Sequence, residues 1–263
     1  MSIDWIAADP LDVDILRGLL TTRTLGRGQL EVHRSLTSTN DRMRELARAG
    51  AGPGVVVLAE EQTRGRGRAG RNWISLKGAG LWMTVLVARG TEPPGLITLG
   101  AGVAVRRAVR ALGVEAELKW PNDLEVGGAK LCGILGEAIG EGTIALGIGV
   151  NVHQSPPAPA IGRAAIALDQ AAGRPVARNL LAARLLDQLE QVLVDLESGR
   201  QSQVLAAWRE GCSHLGRQVQ VTEGAQDETG VATDIDSAGA LLVRRRDGTV
   251  VAVHAGSLAV LAS

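Results

Sequence analysis

The chain contains neither phenylalanine nor tyrosine, and tryptophan is its only conventional aromatic residue. This shortage argues against a single-strand nucleic-acid binder built on aromatic stacking platforms. Only two of the 263 residues are cysteine, Cys132 and Cys212, and they lie far apart without metal-ligand spacing. A chain of this length can bury a full core without disulfides, so a reduced intracellular compartment is the simpler expectation.

The sequence also lacks a long apolar run and a basic N-terminal segment followed by an apolar stretch. A membrane span and a secretory signal are therefore not expected. Acidic and basic residues balance at 28 each, so no whole-chain field attracts DNA, RNA or an anionic membrane. We expect a cytoplasmic protein in which any anion binding is local.

Lysine is the scarcest charged residue. Arginine supplies nearly all of the 28 basic residues, and the only lysines are Lys77, Lys119 and Lys130. A retained lysine can do what a guanidinium cannot, such as reaching into a pocket as a compact point charge. Codon bias in a GC-rich genome is the alternative explanation, and composition alone does not decide between them.

Periodicity and turn residues predict secondary structure along the whole chain. Helices are expected from Asp9-Pro10, from Ser38 to Gly50, over residues 95–112 and 178–197, and around Trp208. Strands are expected at residues 29–34, 55–59, 81–88, 117–120, 130–138 and 143–153. Residues 61–73 are predicted to form a polar loop, and the short alternating strands after residue 216 predict a small β barrel or sandwich.

Residues 64–71 place four arginines, Arg64, Arg66, Arg68 and Arg71, within eight residues of a glycine-rich loop. Two unit charges 4 Å apart cost about 1 kcal/mol in water but about 4 kcal/mol near a protein surface. We therefore predict that the loop is mobile when empty and closes over a phosphate-bearing ligand. Its G-x-G-x-x-G spacing does not indicate a dinucleotide site, because a strand rather than a helix follows. An RGG-like nucleic-acid segment and an inert solvated loop remain alternatives.

A second segment carries cations beside groups suited to hydroxyls or hydrated metal. Residues 119–123 read Lys-Trp-Pro-Asn-Asp, and residues 130–137 read Lys-Leu-Cys-Gly-Ile-Leu-Gly-Glu. The first supplies a cation, a flat hydrophobe, a fixed φ angle and two polar side chains. Pro-Asn-Asp alone is an ordinary turn, so the interpretation depends on its neighbours.

Three elements in order, Ser38-Thr39-Asn40, the loop ending in Arg71-Asn72-Trp73, and residues 119–133, together resemble biotin protein ligases. The resemblance runs from about residue 30 to the C-terminus. It implies an α+β fold: a class II aminoacyl-tRNA synthetase-like core with a mixed sheet, expected over residues 1–214, and an SH3-like β barrel, expected over residues 215–263. It also implies activation of biotin with ATP and Mg²⁺, and transfer to a lysine of a biotin carboxyl carrier domain of acyl-CoA carboxylases. Only about thirty residues precede Glu31, so we expect the monofunctional form without DNA binding.

The resemblance also implies a biotin site. The residues expected there are Ser38, Thr39, Asn40, Gln62, Gly65, Arg66, Gly67, Arg68, Lys130 and Gly133. Hydroxyl, amide and backbone groups suit a neutral ureido ring, and an apolar channel suits the valeryl chain. Ser38 and Thr39 can also act as a helix cap, which is compatible with ligand contact.

The residues expected to bind ATP or the adenylate are Arg68, Arg71, Trp73, Lys119, Asn122, Asp123 and Asn151. Lys130, Arg66, Arg68 and Asp123 are the expected catalytic residues. Lys130 would hold the biotin carboxylate against the α-phosphate, the arginines would balance phosphate charge, and Asp123 would orient the acceptor amine or accept its proton. A structural ion pair is the alternative role for Lys119, and metal ligands are not identified.

Two rival functions remain open. A lipoate or octanoate ligase or transferase of the same fold could use Cys132 as a nucleophile, although no histidine lies in its segment and a buried strand cysteine explains it as well. A non-catalytic anion or RNA binder could use the arginine loop.

Overall fold

The structure is a computed structural model that describes residues 9–90, 92–140 and 142–261. In the described residues the strands, in chain order, are β1 (Leu30–His33), β2 (Val56–Ala59), β3 (Gly65–Arg66), β4 (Asn72–Trp73), β5 (Gly80–Ala88), β6 (Glu117–Lys119), β7 (Asp123–Val126), β8 (Ala129–Ile139), β9 (Thr143–Asn151), β10 (Gln218–Glu223), β11 (Gln226–Ile235), β12 (Leu241–Arg244), β13 (Val250–Val253) and β14 (Ser257–Val260). The helices are α1 (Val13–Leu19), α2 (Thr39–Arg48), α3 (Pro94–Arg110), α4 (Ala158–Ile161), α5 (Leu168–Ala172), α6 (Arg178–Glu197) and α7 (Gln201–Gly211).

Seven strands form one mixed sheet in the order β1-β2-β5-β9-β8-β7-β6. The β1–β2 pair is parallel, and the remaining neighbours are antiparallel. Side chains of β2 alternate between two cores: Val56 and Leu58 join the cluster that includes α3 and α6, whereas Val57 joins the cluster formed with α2. Helices therefore cover both faces, which explains why β2 is a continuous apolar strand.

The second sheet is antiparallel, in the order β13-β12-β11-β10-β14, and every one of its strands follows residue 214. The predicted small β domain is thus confirmed, with β14 as a strand that the sequence pattern missed. A turn of the second sheet contacts the turn between β6 and β7, where Trp120 Nε1 donates to Gly239 O at 3.1 Å. The exact boundary at 214/215 remains a prediction.

Several local predictions need correction. The first helix begins at Val13 and is capped by Asp12, whose carboxylate accepts from Asp14 N and Ile15 N. Asp9 does not cap it because its carboxylate accepts from Arg178 N at 2.7 Å and lies 3.3 Å from His153 Nε2.

The region predicted as one turn between two strands holds an additional strand, β7, so β6, β7 and β8 form two successive hairpins. The polar loop at residues 61–73 contains the short β3–β4 hairpin, in which Gly65 pairs with Trp73 and Arg66 with Asn72. The Pro-rich connection at residues 155–160 leads into α4. The turn residue Glu141 lies outside the described residues.

Candidate active site

A cavity of about 440 Å³ opens on the α2 face of the large sheet. It gathers most of the residues predicted for the site: Ser38, Thr39, Asn40, Gln62, Arg66, Gly67, Arg68, Arg71, Trp73, Asn122, Asp123, Lys130, Gly133 and Asn151. Gly65 lines a neighbouring cleft instead, and Lys119 lines neither. Segments that run from Ser38 to Asn151 in the sequence thus meet in one concave surface.

The strand β9 sets the length of this cavity. Gly147, Gly149 and Asn151 are alternate residues, so they lie on one face of the sheet. At roughly 3.3 Å per residue, the first and third are about 13 Å apart. Gly147 adjoins Asn40 at the start of α2, whereas Asn151 adjoins Lys130. The cavity therefore runs from the α2 N-terminus to the beginning of β8.

The α2 end presents hydroxyl and amide groups, and the lining cation Arg66 is paired there with Asp41 and Glu137. Ser38 caps the helix by accepting from Asn40 N at 3.2 Å, and Gln62 Oε1 accepts from Thr39 N at 2.9 Å. Gln62 Nε2 in turn donates to Ser75 Oγ at 2.8 Å. These bonds hold hydroxyl and amide groups rigidly in the wall. Asn40 is committed to the framework, because its amide donates to Glu137 and accepts from Thr84.

Trp73 lies over a floor without side chains. A Cβ at Gly133 would come within 2.6 Å of the Trp73 ring, and one at Gly149 within 2.7 Å. These two glycines are register partners on β8 and β9, so together they form a flat cradle. The Trp73 ring also meets the edge of Trp82, with centroids 6.0 Å apart, and Lys130 Nζ lies 5.2 Å from its centroid.

Acids and bases alternate at the β8 end. Asp123 Oδ1 lies 2.8 Å from Lys130 Nζ, and Asp123 Oδ2 accepts from Arg163 Nη1 at 2.8 Å. Arg163 Nη2 also pairs with Glu125, which accepts from Lys119 Nζ at 3.1 Å. This paired cluster, Lys119, Asp123, Glu125, Lys130 and Arg163, holds three cations and two carboxylates. Its formal charge of +1 suits an anionic ligand.

Lys119 belongs to the outer edge of the paired cluster. Burial, together with the charges of Arg163 and Lys130, lowers the pKa of Lys119, while Asp123 opposes the shift. Its ammonium is bound to the nearly buried Glu125 and lies outside the cavity lining. A structural ion pair, the alternative that the sequence left open, accounts for these contacts.

The arginines of the loop are not equivalent. Arg66 binds Asp41 and Glu137 at 2.9 and 2.8 Å, so its charge is balanced within the protein. Arg68 is half-buried and donates to Asn122 Oδ1 at 3.2 Å, and burial lowers its pKa. Arg71 Nη2 reaches Ser257 Oγ on β14 at 3.4 Å. A phosphate would break fewer ion pairs at Arg68 and Arg71 than at Arg66. The mobility of the loop remains a prediction.

Asn151 has an unused acceptor. The residue is 1 % exposed, its Nδ2 donates weakly to Lys130 O at 3.3 Å, and its Oδ1 has no hydrogen-bond partner among the described residues. A buried amide oxygen of this kind is costly unless a ligand or water satisfies it. Its place beside Lys130 fits the predicted contact with the nucleotide.

Sequence reasoning missed two sets of site residues. Gly147 and Gly149 form the floor, and the apolar G-I-G pattern of β9 was the only signal for them. Arg163 had no signal: it follows a proline-rich segment, 40 residues after the carboxylate that it binds.

Neither thiol is suited to nucleophilic catalysis. Cys132 is fully buried in β8 and outside the cavity lining, and burial raises the pKa of its thiol well above the usual range. Burial also raises the pKa of Cys212 to about 11. Its neighbour His214 lies 3.3 Å away but is itself buried, and burial lowers its pKa to about 4. A neutral imidazole beside a neutral thiol is a structural contact.

Within the described ranges, no three histidine, cysteine or acidic side chains are arranged to hold a metal ion. Of the described cavity-lining residues, Asp123 alone is a carboxylate, and both its oxygens face cations. The described residues therefore offer no ready-made Mg²⁺ site, and Mg²⁺ fits best as part of the MgATP substrate, held by phosphate oxygens. The helices of the described chain are all too short or too polar to cross a bilayer.

The sequence matches the Biotin/lipoate A/B protein ligase family over residues 32–154 and the Biotin protein ligase C terminal domain over residues 214–259. It is 38% identical over 261 residues to a Biotin–[acetyl-CoA-carboxylase] ligase of Mycobacterium tuberculosis, covering 95% of each chain. It is 31% identical to the Bifunctional ligase/repressor BirA of Escherichia coli, covering 92% of this chain and 77% of that protein.

Among solved structures, a biotin protein ligase from Aquifex aeolicus in complex with biotin and ATP superimposes with a TM-score of 0.80 and 25% identity. The superposition covers 89% of this chain and all of that one. The family models, the relatives and the fold agree, and this chain belongs to the biotin protein ligase family.

Proposed function

We propose that this chain activates biotin with ATP to biotinyl-5′-AMP and transfers the biotinyl group to a lysine of a biotin carboxyl carrier domain. The observation that carries the proposal is the polarity of the cavity. Neutral hydrogen-bonding groups stand at the α2 end, a glycine floor under Trp73 lies between, and an excess of positive charge stands at the β8 end. Biotin has the same order: a neutral ureido ring, an apolar chain and a carboxylate.

In the first half-reaction, a carboxylate oxygen attacks the α-phosphorus, a P–O bond forms, and the bond to the β-phosphate breaks to release pyrophosphate. Lys130 holds the carboxylate in place, since it lines the cavity and its ammonium lies 2.8 Å from Asp123 Oδ1 and 5.2 Å from the centroid of the Trp73 ring. Arg68 and Arg71 neutralise phosphate charge as it develops. A carboxylate nucleophile needs no protein base, so positioning and electrostatics supply most of the rate.

In the second half-reaction, the carrier lysine amine attacks the acyl carbon and AMP leaves. Asp123 orients that amine. Its two oxygens face Lys130 and Arg163, and the amine proton passes to solvent. Closure of the arginine loop would keep water from the mixed anhydride.

Two assays test the proposal. Biotin-dependent exchange of labelled pyrophosphate into ATP is expected, followed by transfer to an isolated carrier domain. Lipoate in place of biotin serves as the competing acid, and salt-sensitive RNA retention without exchange would favour the binder. Exchange that responds to lipoate but not to biotin would assign the chain to the other branch of the matched family.

A further inference from the structure

Backbone hydrogen bonds hold the segment that contains Arg163 beside the site. Arg163 follows Gly162, which ends α4 in the left-handed region with φ of 71°. The next residues run beside β8: Lys130 N donates to Ala164 O at 2.9 Å, and Ile166 N donates to Lys130 O at 3.0 Å. Arg163 is thereby fixed relative to Lys130 by hydrogen bonds on both sides of the lysine.

The side chain of Arg163 joins the two carboxylates of the paired cluster. One guanidinium nitrogen binds Asp123 and the other binds Glu125, so both arms of the fork are used. The carboxylates are 13% and 8% exposed, and Arg163 itself is 29% exposed. The contact is thus shielded from solvent more than an ordinary surface pair, and it is less screened by salt.

Arg163 and Lys130 are both ion-paired with Asp123, so removing one of them changes how strongly Asp123 holds the other. Lys130 has to turn from Asp123 toward the incoming carboxylate if it is to hold biotin. With Arg163 present, Asp123 keeps one cation on Oδ2 when Lys130 leaves Oδ1. Without Arg163, Lys130 would be the remaining ion-pair partner of Asp123 among the described residues. A carboxylate left buried without a partner is strongly disfavoured, so Lys130 would be held on Asp123 more firmly.

We infer that Arg163 is a positioning residue for biotin binding: it keeps Asp123 paired so that Lys130 is free to engage the carboxylate of the substrate. This inference rests on the proposed function. It predicts an effect specific to the carboxylate, because Arg163 does not touch the polar α2 end of the cavity where the ureido ring would bind. Within the described part of the chain, the side-chain partners of Arg163 are Asp123 and Glu125, both at the β8 end.

The test compares biotin with biotinol, the alcohol that lacks the carboxylate, by titration calorimetry without ATP. For Arg163→Gln, the Kd for biotin is expected to rise about tenfold, a typical coupling within one ion-pair network. The Kd for biotinol should stay within about twofold, the error of near-independent sites. Arg163→Lys keeps one charge but loses the fork, so it should lie between the two.

Repeating the titration in an Asp123→Asn variant separates this positioning role from a general loss of structure. In an Asp123→Asn chain the carboxylate that competes for Lys130 is absent, so adding Arg163→Gln should weaken biotin binding less than it does in the unaltered chain. Equal weakening of biotin and biotinol, or an undiminished effect in the Asp123→Asn background, would overturn the inference. If Arg163→Gln does not fold, Arg163→Lys carries the same comparison. Failure of the unaltered chain to bind either ligand would refute the proposed function itself, and the inference about Arg163 would be refuted with it.

Discussion

Replacement of Lys130 by methionine should abolish most adenylation without unfolding the protein. The ammonium occupies a narrow slot, 2.8 Å from Asp123 Oδ1 and 5.2 Å from the centroid of Trp73. It also lies 3.3 Å from the Cβ position of Gly133. Without this ammonium the carboxylate of biotin would be buried in the slot without its cation. An unpaired buried charge costs about 3–5 kcal/mol, which corresponds to a roughly hundred- to several-thousand-fold fall in kcat/KM for biotin.

Stability should change little in the same variant. Asp123 still faces Arg163 after Lys130 is removed, so no unpaired carboxylate is left behind. We expect the free energy of unfolding to move by no more than about 1 kcal/mol, the range of partly exposed ion pairs. Lys77 provides a matched control because it is exposed and outside the cavity lining, and Lys77→Met should leave adenylation unchanged.

Lys130→Arg sharpens the same test. It keeps the positive charge, but a guanidinium places two nitrogens where the lysine has one, and the slot is bounded by an indole ring and a glycine. Labelled pyrophosphate exchange measures the first half-reaction, and transfer from supplied biotinyl-5′-AMP measures the second. Both variants should lose exchange far more than transfer. Exchange by Lys130→Met within a few-fold of the unaltered chain would refute the role of this lysine.

Three further outcomes are expected. Cys132→Ser should retain exchange and transfer, and dependence of transfer on this thiol would revive an acyl-enzyme mechanism. Gly133→Ala should weaken biotin binding about tenfold in calorimetry, because its methyl group would lie 2.6 Å from the Trp73 ring and force that ring to move. His214, whose pKa is lowered by burial from 6.5 to about 4, takes up a proton more readily when unfolded, so stability should fall by about 3 kcal/mol as the pH drops from 6.5 to 4. Urea unfolding at several pH values should show that His214→Phe removes this slope and that His254→Phe, at an exposed position, does not.

The sequence predicted long elements and the broad architecture well, for a physical reason. Strand β5 and helix α6 each bury a continuous or periodic apolar set, so their pattern is set by burial alone. Strand β7 was missed because it has only four residues and follows a Pro-Asn turn. The start of α1 was wrong because two acidic residues compete for the capping role, and tertiary contacts of Asp9 decide between them.

Site residues were predicted where the residue types recur in order within one segment. The loop arginines and the residues around Lys130 have such local patterns, and the structure brings nearly all of them to one cavity. Their individual roles are a different matter. Whether Arg66 faces a ligand or an internal acid depends on Asp41 and Glu137, which come from distant elements. Sequence spacing contains no information about that choice.

The scarcity of lysine does not indicate which of the three lysines has a role in the site. Lys130 lies inside the cavity, Lys119 at the outer edge of the paired cluster, and Lys77 on the exposed surface. Lys119 and Lys130 each share a carboxylate with Arg163, Glu125 and Asp123 respectively. What distinguishes Lys130 is that it lines the cavity, so its ammonium can turn from Asp123 toward a ligand.

A chain with no net charge can bind anions where cations are locally in excess. Its 28 acids and 28 bases cancel over the whole surface, yet the paired cluster holds one more cation than carboxylate, and Arg68 and Arg71 stand beside it. Because the cluster is partly buried, its excess charge is screened less than a surface charge would be. A carboxylate and a polyphosphate brought together at this end would otherwise repel each other strongly. The local excess of cations is what allows the two to approach within bonding distance.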